Sequence, residues 1–98
     1  MKASQIVDKV REIVGRHALP DFITGFDVRL GEFDGDLAMW IAFKMVPGPG
    51  KLTPETERRV EHITALQDAL MPELLDEFDD RYPYFRFEAE RDPKLLAE

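Results

Sequence analysis

An Asp34-Gly35 pair stands between two runs rich in apolar residues and dictates how they can meet. Both central residues of a two-residue hairpin turn take φ > 0, which Asp and Gly tolerate best, so the pair predicts a β-hairpin over residues 26–46. Partners then pair Phe26 with Phe43, Val28 with Ile41 and Leu30 with Met39, all on one face. A slip of one residue would set Phe26 against Lys44 and turn each apolar set outward, so the register is strongly specified. The opposite face carries Asp27, Arg29 and Gly31 on the first strand and Ala38, Trp40, Ala42 and Lys44 on the second, with Arg29 directly across from Trp40.

Helical periodicity flanks the hairpin. Ile6, Val7, Val10, Ile13, Val14 and His17 recur at helical spacing, which predicts a first helix from about Gln5 to Ala18 with Ser4 as N-cap and Leu19-Pro20 as its end. Gly15 implies either close packing on the sheet or a fraying last turn. Pro47-Gly48-Pro49-Gly50 continues neither strand nor helix, and Thr53-Pro54-Glu55 predicts a capped start for the second helix. Its apolar stripe is Val60, Ile63, Leu66, Leu70, Leu74 and Phe78, interrupted by Pro72, which predicts a kink or a split into two helices. Tyr82-Pro83 is expected to close the helical stretch. Residues 84–90 alternate as a third strand, with Phe85, Phe87 and Ala89 inward and Tyr84, Arg86, Glu88 and Glu90 outward.

The expected fold is therefore α+β, a two-layer sandwich in the order α-β-β-α-β, with both helices on one face of a three-stranded sheet. A right-handed crossover would make the third strand parallel to the second, beside it or beyond the first. Ninety-eight residues suffice for one domain over 1–98. The element order resembles that of ferredoxin-like half-domains and of the carboxy-terminal domain of NifU-type iron-sulfur scaffolds. Those scaffolds present a Cys-x-x-Cys pair after the hairpin. This chain has Pro47 to Lys51 there and no cysteine, so no cluster chemistry carries over.

Composition narrows the function. The absence of cysteine excludes disulfides, thiolate metal sites and thiol catalysis. Residues 1–50 hold six basic and seven acidic side chains and residues 51–98 hold seven and thirteen, for a net charge of −7. That balance disfavours nucleic acid and anionic membranes. With no apolar run of transmembrane length, a cytoplasmic protein is expected.

Signatures of chemistry are weak. Gly48-Pro49-Gly50-Lys51 would need glycine at Met45 and Ser or Thr at Leu52 to be a P-loop, and its prolines remove backbone donors. Glu32, Asp34 and Asp36 do not match a calcium loop, and His17 and His62 have no ligand-type spacing. No metal, cofactor or catalytic group is expected. The outward sheet face is apolar where it should be polar: Arg29, Ala38, Trp40, Ala42, Tyr84 and Arg86 combine aromatic and arginine side chains as interfaces do. The alternatives for these residues are that Arg29 and Arg86 merely cover Trp40 by cation-π stacking, or that the face is a base-stacking platform for single strands, which the acidity disfavours.

The sequence thus reads as a small acidic non-enzymatic interaction module, a homodimer or a partner-docking protein, with an inhibitor- or antitoxin-like role towards a basic protein as one form. Glu73, Asp76, Asp79 and Asp80 form a candidate acidic docking face. A small-ligand or regulatory domain with an anion site near Lys44 and Lys51 is the alternative reading.

Overall fold

The computed structural model describes residues 2–47 and 53–89. Its elements are α1 (Ala3–Gly15), β1 (Ile23–Phe33), β2 (Asp36–Met45), α2 (Pro54–Glu77) and β3 (Tyr82–Ala89). The sheet order is β1-β2-β3, with β2 antiparallel to β1 and parallel to β3. The third strand thus takes the position beside the second.

The hairpin has the register that its turn requires. Asp34 and Gly35 adopt φ of 53° and 86°, and Phe26↔Phe43, Val28↔Ile41, Arg29↔Trp40 and Leu30↔Met39 are partners. Met39, Ile41 and Phe43 are completely buried on one face of the central strand, against Val10 and Val14 of α1 and Leu70 and Leu74 of α2. Burying each such side chain contributes about 1.5–3 kcal/mol, which makes β2 the spine of the core.

Helix α1 buries Ile6, Val10, Ile13 and Val14, a stripe at helical spacing. It begins two residues earlier than expected, with Lys2 rather than Ser4 at the N-cap. The Gln5 side chain accepts a hydrogen bond from the Lys2 backbone N–H at 2.9 Å, and so satisfies the cap residue from inside the helix. The helix ends at Gly15 rather than Ala18, where the N–H groups of Arg16 and His17 turn back to Ile13 and Val14. Gly15 is exposed with open space around its Cα, so it belongs to a helix end and not to a close contact.

Helix α2 starts as expected. The Thr53 hydroxyl accepts from the Thr56 N–H at 3.2 Å, and Pro54 follows at the first helical position. The helix then runs unsplit through Pro72. Proline deprives the Asp68 carbonyl of its donor, but both residues are exposed, so water can take that bond. Leu66, Leu70, Leu74 and Phe78 are buried as expected, whereas Val60 is 56% exposed. Ile63 is partly buried, and in the first turns Arg59 and the exposed His62 pack on Phe22: the Arg59 guanidinium lies 5.0 Å from the ring centroid and the His62 ring stacks at 6.3 Å.

Tyr82 and Pro83 do not close the helix; they open β3, with Pro83 buried against Met39. Proline fits there because β3 is an edge strand, where a missing N–H breaks no ladder. Glu90, expected in this strand, and the 92–96 tail lie outside the described residues.

Two substitutions in α2 should move stability in opposite directions. Leu70→Ala should lose about 2–5 kcal/mol by opening a cavity at the core's centre. Pro72→Ala should gain about 1–3 kcal/mol by restoring a helical hydrogen bond at an exposed site. Urea unfolding monitored by circular dichroism checks both signs.

Candidate functional site

The face of the sheet away from the helices is built by strict alternation. Asp27, Arg29, Gly31 and Phe33 come from β1, Ala38, Trp40, Ala42 and Lys44 from β2, and Tyr82, Tyr84, Arg86 and Glu88 from β3. No described element covers it.

Its centre is aromatic. Trp40 and Tyr84 are cross-strand partners and stack at 5.9 Å with rings 20° apart. Tyr84 also meets Phe33 at 5.3 Å and Tyr82 at 5.0 Å, both tilted. Tyr84 is therefore the hub of a four-ring cluster reaching across all three strands. Phe33 and Tyr82, at its outer end, are 56% and 50% exposed.

The indole lies flat over Gly31: a Cβ built there would sit 2.8 Å from Trp40 Cζ3. That close approach requires glycine and explains why Arg29, though opposite Trp40, does not cover it. Among the described residues, the arginines that stack on rings are Arg11 on Phe26 and Arg59 on Phe22; neither Arg29 nor Arg86 stacks on Trp40. The cation-π cover expected as an alternative is thus replaced by a Gly31 floor and a Tyr84 neighbour.

Charged side chains border the cluster at one end. Lys44 Nζ lies 3.3 Å from Asp27 and Arg86 Nε 3.7 Å from Glu88. Arg29 is exposed and has no hydrogen-bond or ion-pair partner among the described residues. With Trp40, Ala42, Arg86, Asp27 and Glu88 it lines an open concavity of about 430 Å³. The opposite end is acidic and apolar together. Glu32, Asp34 and Asp36 at the hairpin tip, and Asp79 and Asp80 in the turn before β3, share the end that holds Phe33 and Tyr82, because β2 and β3 start side by side.

Ala38, expected at the open interface, is 1% exposed and cannot present itself there. Beside it stands Arg81, a residue that sequence reasoning missed. Its Nη1 donates to the carbonyls of Ala38 at 3.0 Å and Gly31 at 3.5 Å, tying the α2–β3 turn to the hairpin. Arg81 Nε is buried without a hydrogen-bond partner among the described residues. Phe33 and Tyr82 were also missed, although continuing the alternation two residues towards each strand's near end would have found them.

The acidic docking residues are divided by the fold. Glu73 on α2 bonds His17 Nε2 at 2.7 Å and is thereby engaged within the chain. Asp76 stays exposed on α2, and Asp79 and Asp80 move to the sheet's acidic end. Of the anion-site pair, Lys44 sits on the Trp40 face against Asp27, and Lys51 lies outside the described residues. A second concavity, of about 380 Å³, offers Arg58, Arg59 and His62, but Asp21 and Glu55 line it too, which offsets its charge.

Among the described residues no group of His, Asp and Glu converges as a metal site, and no helix is long and apolar enough to cross a membrane. Comparison with protein-family models, with curated proteins and with solved structures gives no match.

Gly31→Ala should lift the indole off the sheet and lose about 1 kcal/mol or more, the usual scale of overpacking. The emission of this single tryptophan should shift to the red. An unchanged spectrum and midpoint would contradict the packing described.

Proposed function

We propose that the chain is a non-enzymatic interaction module whose open sheet face docks a basic partner protein. The observation that carries this reading is the Phe33, Trp40, Tyr82 and Tyr84 cluster, partly open to solvent at the end of the sheet that also holds Asp34, Asp36, Asp79 and Asp80. Large rigid rings that still have surface to bury are what interface hot spots are made of, and arginines at the border add to the likeness. The carboxylates at the acidic end supply charge that steers a basic surface onto the rings and repels nucleic acid. An inhibitor-like or antitoxin-like role towards such a protein is one form of this activity. A cytoplasmic setting fits a chain without cysteine.

A small-ligand role draws less support, since Lys44 is already paired and the arginine-lined concavity near Val46 is offset by its own carboxylates.

The test is affinity capture from the native source with the wild type, Trp40→Ala and Tyr82→Ser, each first shown to be folded. The retained partner should be basic and should be lost as salt rises. Its retention should fall at least tenfold with either variant, the scale expected for a hot-spot side chain. Equal retention by all three proteins would contradict the proposal.

A further inference from the structure

We propose that a second copy of this chain pairs with the free edge of β1, antiparallel about Val28, to form one six-stranded sheet. This surface differs from the face around Trp40, so the inference goes beyond the docking role and stands without it.

The first observation is that, among the described residues, β1 is an open edge of a kind proteins usually protect. It is eleven residues long, and from Phe26 to Phe33 it contains no proline or lysine and no bulge; its single register shift lies between Ile23 and Gly25. The other edge, β3, is guarded by Pro83.

The second is the direction of its backbone groups. A two-residue hairpin closes on a hydrogen-bonded pair, here Phe33↔Asp36, and the bonded pairs then alternate along the ladder. One Arg81 nitrogen reaches both the Gly31 and Ala38 carbonyls, which agrees with those two groups pointing into the same interstrand gap. The N–H and C=O groups of Phe26, Val28, Leu30 and Glu32 therefore point away from β2, out of the edge.

The third is self-complementarity. Pairing those outward groups antiparallel about Val28 places Phe26 opposite Leu30 of the second copy, Val28 opposite Val28, and Asp27 opposite Arg29, in both directions. Phe26, Val28 and Leu30 are only partly buried in one copy, although they lie on the core face. Arg29 lacks a partner among the described residues, and Asp27 binds Lys44 through Oδ2, which leaves Oδ1 for the arginine. Shifting the centre to residue 27 or 29 would oppose Asp27 to Asp27 or Arg29 to Arg29, so charge selects the register.

The two-fold axis stands perpendicular to the sheet and leaves both aromatic clusters on the same side. Three strands of this length present roughly 400 Å² and six roughly 800 Å², from strand spacing and rise. The larger value matches one partner's share of a stable protein interface, about 800 Å².

Analytical ultracentrifugation of the intact chain at micromolar concentrations tests this with the wild type, Arg29→Asp, and the double variant Asp27→Arg with Arg29→Asp. The wild type should sediment as a dimer. Arg29→Asp should weaken it at least tenfold, as expected for a close charge pair, and the double swap should restore most of the loss. Hydrogen exchange supplies a readout that needs no variant: the amides of Phe26, Val28, Leu30 and Glu32 should gain protection as concentration rises.

A wild type that stays monomeric to high micromolar concentration would overturn the inference and leave the docking role untouched. So would a swap that fails to restore the dimer, or a dimer dissociated by Trp40→Ala but not by Arg29→Asp, which would place the contact on the face instead.

Discussion

Everything in this fold depends on the parity of the hairpin. Because Asp34 and Gly35 accept positive φ, the two strands meet with Arg29 across from Trp40 and Val28 across from Ile41, and each side chain is assigned to one face. The helices then have a single apolar surface to cover, that of Met39, Ile41 and Phe43. Two helices suffice for that face. The other is left with a tryptophan, two tyrosines and a phenylalanine that the described chain does not bury.

The aromatic face is specific in its construction. Gly31 has no side chain, so the indole can lie against the strand and reach Tyr84 instead of standing out into water. Tyr84 in turn gathers Phe33 and Tyr82, which carries the cluster to the end where the hairpin tip and the α2–β3 turn bring their carboxylates. Arg81 holds that end together by bonding backbone carbonyls of both hairpin strands. The surface is thus aromatic at its centre, apolar at one end and charged at both borders, the features on which the proposed docking role rests.

Properties set by local rules could be read from the sequence, and properties set by distant packing could not. Register, strand faces, the Thr53-Pro54 helix start and the Leu66, Leu70, Leu74 and Phe78 stripe follow from turn chemistry and periodicity. The exposure of Val60 depends on how α2 crosses the sheet, and Pro83 could be placed in a strand only once β3 was known to be an edge. The Arg81 bonds to Gly31 and Ala38 span 50 and 43 residues and leave no short-range signal. The site was half legible: alternation brought out Arg29, Trp40, Tyr84 and Arg86, while the strand-end rings Phe33 and Tyr82, the Gly31 floor and the burial of Ala38 needed the structure.

Parity can be checked at one pair of residues. In a nuclear Overhauser spectrum of the labelled protein, the ring protons of Trp40 should show strong cross-peaks to the Gly31 α-protons and to the Tyr84 ring. Cross-peaks from Trp40 to the methyl groups of Val10, Leu70 or Leu74 would place the indole on the helix side and contradict the assignment of faces on which the whole account rests.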